Sequence, residues 1–67
     1  MKNTLKVQRA IKDITQQELA QAIGVSRQTI NSMESGKYVP STLLALKLAR
    51  YFDKSVEEIF TLEDGEY

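Results

Sequence analysis

Apolar residues recur along this chain in short groups at helical spacing, and most groups are introduced by a serine or threonine. Such side chains accept hydrogen bonds from first-turn amides that a helix leaves unpaired, so they mark helix starts. Thr15 stands three residues before Glu18, a capping box, and opens a helix over about 16–23 with Leu19, Ala20 and Ile23 on one face, ended by Gly24. Ser26 caps a helix over about 27–34 that turns Ile30 and Met33 inward, and Gly36 closes it in the left-handed conformation. Pro40 and Ser41 start a longer helix, about 42–52, with Leu44, Ala45, Leu48, Ala49 and Phe52 as its apolar stripe. Ser55 and Glu58 form a second capping box before a short helix that buries Val56, Ile59 and Phe60. Leu5 to Ile11 reads as a first helix, and Lys2-Asn3-Thr4 could pair with Phe60-Thr61-Leu62 in a small two-stranded antiparallel sheet. The prediction is a mainly α fold of five helices in one domain over residues 1–67.

Composition narrows the chemistry. The chain has no cysteine and no histidine, which removes the usual zinc ligands, disulfides, thiol nucleophiles and imidazole bases. No cofactor or metal is expected. No apolar run approaches the roughly 18 residues of a membrane-spanning helix, and no signal-peptide pattern follows Met1, so the expected location is the cytoplasm, in association with the nucleoid.

The net charge is zero but unevenly placed. Residues 1–50 hold eight basic against three acidic side chains, a balance of +5, and residues 51–67 hold one against six, a balance of −5. A basic body with an acidic tail can offer a face to phosphates despite its zero sum, although a simply solvated surface would look the same.

The candidate chemistry lies where the second and third helices meet. Two short helices joined by Gly24-Val25-Ser26 match the geometry in which one helix braces on a nucleic-acid backbone while the next enters the major groove. Small Ala20 permits a close crossing, and Val25 and Ile30 anchor the second helix. Arg27, Gln28, Asn31 and Ser32 are left pointing outward. Arginine can grip guanine O6 and N7, and Gln or Asn can grip adenine N6 and N7, each pair discriminating by about 1–3 kcal/mol. A plain solvent-facing helix would more naturally carry Glu, Lys and Ala, which are better helix formers than Thr, Asn and Ser.

The segment TQQELAQAIGVSRQTINSMESGKYVPS resembles the helix-turn-helix domain of the Cro/C1 repressor family, also called the XRE family. Almost the whole chain follows that family's five-helix, lambda-repressor-like pattern. It looks most like the very short repressors of Gram-positive bacteria and archaea, which comprise the domain plus a small sheet and act as homodimers. The resemblance implies that Arg27, Gln28 and Asn31 touch base edges, with Ser32 a possible fourth. It implies phosphate contact at Gln16, and Ser26, Thr29, Lys37 and Tyr38 match the flanks of the recognition helix as further phosphate candidates. The Tyr38 ring could equally pack on the domain. Arg9 and Glu34 match a family salt bridge between the first and third helices and are read as structural. Gln8 departs from a usually apolar position, and Asp13 and Asp53 stand where glycine or asparagine often ends a helix.

One such domain reads too few base pairs to select a genomic site, so a homodimer on a pseudo-palindrome of double-stranded DNA is expected, acting as a transcriptional regulator and, by resemblance, a repressor. Tyr51, Ile59, Phe60, Leu62 and Tyr67 are the interface candidates, with core or loop packing as their alternative. No membrane contact and no small-molecule effector domain are expected. The rival reading is an antitoxin or protein-interaction module of the same fold with DNA binding secondary. Catalysis through Asp13, Glu18, Glu57 or Glu58 is disfavoured because short helices offer no cleft and these residues read as caps or solvated faces.

Overall fold

In the computed structural model, which describes residues 1–66, the chain runs β1 (Lys2–Asn3), α1 (Leu5–Lys12), α2 (Gln16–Ile23), α3 (Arg27–Glu34), α4 (Thr42–Phe52), α5 (Val56–Ile59) and β2 (Phe60–Thr61). The fold is mainly helical, with five helices and one small antiparallel sheet, as expected from the caps and the apolar spacing. The sheet pairs Lys2 with Thr61 and Asn3 with Phe60, one residue shorter on each strand than the sequence suggested.

Local hydrogen bonds set the helix starts. The Thr15 hydroxyl accepts from the Glu18 N–H at 3.0 Å while the Glu18 carboxylate accepts from the Thr15 N–H at 2.9 Å. Ser55 and Glu58 repeat this exchange at 3.2 and 2.9 Å. Ser26 and Ser41 each accept one first-turn N–H, from Thr29 at 3.1 Å and from Leu44 at 3.2 Å. Each oxygen satisfies an amide that no carbonyl of its own helix can reach.

The helix ends use left-handed backbone. Gly24 terminates α2 at φ 86°, and Gly36 lies beyond α3 at φ 81°, both in a region glycine enters without steric cost. Asp13 and Asp53 end α1 and α4 at φ 56° and 55°, which explains why glycine or asparagine would suit these positions.

The core is continuous from Leu5 through Leu19, Ala20, Ile23, Ile30 and Met33 to Leu44, Leu48, Ala49, Phe52, Ile59 and Phe60. None of the buried side chains among the described residues is polar or charged. Ala20 is 1% exposed where α2 packs on α3, so a bulkier side chain there would push the two helices apart. Gln8, at its usually apolar position, is half-buried, with its amide nitrogen 3.5 Å from the Thr4 hydroxyl. No helix among the described residues is long and apolar enough to cross a membrane.

Candidate nucleic-acid interface

α3 divides its side chains sharply. Ile30 and Met33 are 0% exposed and fix the helix to the core, while Arg27, Gln28 and Asn31 lie exposed on the other side. Ser32 is half-buried, and its carbonyl accepts from the Lys37 N–H at 2.9 Å, the Tyr38 N–H at 3.3 Å and the Ser35 hydroxyl at 3.0 Å. That convergence folds the segment after α3 back beside the helix. Ser26, Gln28, Thr29, Ser32, Lys37 and Tyr38 consequently line one open cleft of about 450 Å³. Tyr38 is 44% exposed, so its ring reaches this cleft without being absorbed by the core. The Ser26 and Thr29 hydroxyls meet at 2.9 Å at the cleft's helix-start end.

Gln16 and Asn31 sit apart from that cleft. They share a second hollow with Lys6, Arg9, Glu34 and Ser35. Arg9 spans from α1 to α3, donating to both Glu34 oxygens, through Nη2 at 3.0 Å and through Nε, and its Nη1 donates to the Ile14 carbonyl at 3.1 Å. The Gln16 amide nitrogen donates to Glu34 Oε1 at 3.0 Å and to Asn31 Oδ1 at 3.3 Å. Burial pushes the Glu34 carboxyl up, but the Arg9 and Gln16 hydrogen bonds together with the nearby Arg9 and Lys6 charges outweigh it and hold the group below its ordinary value. The Glu34 hydrogen bond in turn raises Arg9 above its ordinary value.

Both amide hydrogens of Gln16 are thus engaged within the protein, and a carboxamide oxygen cannot donate to a phosphate. The first-turn N–H groups of Gln16 and Gln17, which an α-helix leaves without intrahelical acceptors, are the donors this end of α2 can offer. Lys6 was not singled out from the sequence, yet it is exposed beside Asn31 and Ser35. Its signal was available: it precedes Arg9 by three residues, so whatever turns Arg9 toward α3 turns Lys6 to the same side.

The apolar candidates differ in exposure. Ile59 is 0% and Phe60 7% exposed, because α5 aims Ile59 inward and the strand alternation of β2 aims Phe60 the same way. Ile59 is thus enclosed by its own chain, while Phe60 comes to the surface only at the edge of an apolar hollow. Tyr51 is half-buried, edge-on to Phe52 with centroids 5.1 Å apart and with Lys12 Nζ 4.9 Å above its ring. Leu62 is exposed, and Tyr67 lies outside the described residues. Other exposed apolar side chains form two groups: Val7 and Ile11 on α1, at 56% and 72%, and Val39, Leu43 and Leu46 around the start of α4, at 60%, 66% and 55%. Val39, Leu46 and Phe60 border a largely apolar hollow of about 220 Å³ with Met1, Pro40 and Val56. Leu43 and Leu46 were legible as surplus, since the α4 stripe of Leu44, Ala45, Leu48, Ala49 and Phe52 leaves both on its outer side.

Comparison with known proteins agrees with this geometry. The helix-turn-helix family model matches residues 5–59. An HTH-type transcriptional regulator of Methanocaldococcus jannaschii is 53% identical over 66 residues, covering 98% of this chain and 100% of that protein. The HTH-type transcriptional regulator YgzD of Bacillus subtilis is 45% identical, with 96% and 97% covered. Among solved structures, the SOS-response transcriptional repressor LexA from Eubacterium rectale superposes with a TM-score of 0.76 at 30% identity, covering 94% of this chain and 77% of that one.

Proposed function

The chain belongs to the helix-turn-helix family of Cro/C1 (XRE) type, DNA-binding transcriptional regulators rather than enzymes, and from that premise we propose that it represses transcription as a homodimer seated on a pseudo-palindromic operator. The observation that carries this reading is the division of α3, with Ile30 and Met33 fully buried and Arg27, Gln28 and Asn31 presented together. In it, Arg27, Gln28 and Asn31 read base edges, with Ser32 contributing at the helix flank. Ser26, Thr29, Lys37, Tyr38 and the first-turn N–H groups of α2 hold the phosphates on either side.

The molecule measures 33 × 22 × 21 Å. Two copies in successive major grooves on one DNA face would occupy half-sites about 34 Å apart. The exposed Val39, Leu43 and Leu46, with Leu62 and Tyr51, are the surface proposed to join them. A dimer over a promoter would then repress by occluding polymerase.

The protein-interaction reading draws on the same exposed leucines, which could hold a different protein instead of a second copy. Selection of bound sequences from a random DNA pool separates the two. Enrichment of a two-fold symmetric motif is expected, and recovery of no motif would overturn operator recognition in favour of the interaction module.

A further inference from the structure

Arg9, Glu34, Gln16 and Asn31 form one chain of hydrogen bonds across three helices that ends on the recognition face, and the chemistry of each member dictates the orientation of the next. The Arg9 guanidinium only donates, so it takes both oxygens of Glu34 as acceptors. An ionised carboxylate only accepts, so Gln16 must turn its amide nitrogen, not its oxygen, toward Glu34 Oε1, 3.0 Å away. The second hydrogen on that nitrogen points to Asn31 at 3.3 Å, so Asn31 must turn its oxygen toward α2 and its own NH2 away from it.

We infer that Glu34, acting through Gln16, is a specificity-determining positioning residue that fixes which end of the Asn31 amide faces which part of a base edge. The inference rests on the reading of Asn31 as a base contact. Glu34 itself, 6% exposed in its side chain, is too enclosed to reach DNA. The Asn31 oxygen keeps a second lone pair and its nitrogen keeps both hydrogens, so the clamp leaves both groups available while fixing their order. Adenine offers an N6 donor beside an N7 acceptor, the complement of a carboxamide held one way round. Guanine offers two acceptors, and its O6 would face the fixed Asn31 oxygen. The base read by Asn31 is therefore adenine, in one strand orientation. A free carboxamide also suits adenine better than guanine, but a half-turn exchanges its donor and acceptor, so what the clamp adds is the strand on which that adenine stands.

The test uses the full chain and random-pool selection. Asn31→Ala identifies the operator position that depends on Asn31. Gln16→Met breaks the relay while leaving the Arg9–Glu34 ion pair intact, and Glu34→Gln removes the acceptor-only member. The wild type is expected to favour adenine over thymine on one strand there by about fivefold or more, and both variants to lose most of that strand preference while retaining the preferences elsewhere in the motif. Thermal melting of each variant confirms folding, and if Glu34→Gln does not fold, Gln16→Met decides alone. Guanine at that position, an unchanged preference in Gln16→Met, or a loss spread evenly over all positions would overturn the inference. If Asn31→Ala erased no position, the base-reading role of Asn31 would fall first and the relay's role with it.

Discussion

Asn3 in β1 donates from its side-chain nitrogen to the Met33 carbonyl in α3 at 2.7 Å, tying the terminal sheet to the last turn of the recognition helix. Its oxygen meanwhile accepts from the Leu5 N–H at 3.1 Å, doing at α1 what the Thr4 side chain does not. One partly buried amide thus serves two helix ends. Asn3→Ala should cost about 1–2 kcal/mol, because both groups lose their partner, and chemical denaturation measures it. A change below about 0.5 kcal/mol would show that water replaces both bonds.

The Arg9–Glu34 pair makes stability depend on acid. Glu34 is held below its ordinary value of about 4.5 in the folded chain, so its contribution is complete above that value. The contribution is lost as pH falls through the lower, folded value. Glu58, lowered by the Ser55 N–H in its capping box, acts in the same direction. Arg9→Ala should destabilise by about 3 kcal/mol near neutrality, lowering Tm by more than about 10 °C, and should flatten the acid side of the stability profile. An acid limb as steep as in the wild type would assign the pH dependence to other carboxyls.

Asp53 ends α4 with φ 55° and carries its charge at the negative end of the helix. Asn tolerates the same backbone and removes the charge, so Asp53→Asn should stabilise by about 0.3–1 kcal/mol at low salt. The gain should shrink as salt screens the interaction. A loss of stability on melting would mean that the carboxylate has a favourable partner.

Arg27 and Lys37 should separate sequence reading from phosphate holding. Arg27→Ala should remove about 1–3 kcal/mol of discrimination at one base pair, whereas Lys37→Ala should weaken all sequences alike and reduce the salt slope by about one. Titrations at several salt concentrations distinguish the two. Identical behaviour of the variants would reject the division of roles.

Leu46 is the candidate anchor of the dimer face, beside Val39 and the apolar hollow. Leu46→Glu should shift sedimentation at micromolar protein toward monomer while leaving the helical circular dichroism unchanged, since the side chain is already 55% exposed. A dimer of undiminished strength would move the interface elsewhere, with exposed Val7 and Ile11 on α1 next to be tested.

The helices were legible because their signals are local. Thr15, Ser26, Ser41 and Ser55 each bond an amide three residues ahead, a relationship written within four consecutive positions. Features that depend on chain crossing were less so. Gln16 lies 15 residues from Asn31 and 18 from Glu34, and its side chain alone suggests a phosphate donor until the packing of α2 on α3 assigns both its hydrogens. Ile59 and Phe60 carried both a core and an interface reading because apolarity does not tell inward from outward in a four-residue helix followed by a two-residue strand. Of the two partners of Asn3, Leu5 is local, but Met33, 30 residues away, lay beyond any local pattern.

The pairing of Asn3 with Phe60 also orders events in time. The recognition helix is synthesised well before β2, so β1 must wait until Phe60 and Thr61 are made before its strand partner exists. Closing so long a loop is entropically unfavourable until the intervening helices have packed and shortened it. The sheet is therefore among the last contacts to form. A nascent chain still lacking β2 can carry a complete α3, but the strand that holds Asn3 against the Met33 carbonyl has no neighbour to lie on. The Asn3 tie to α3 gains its strand support only once β2 has been made.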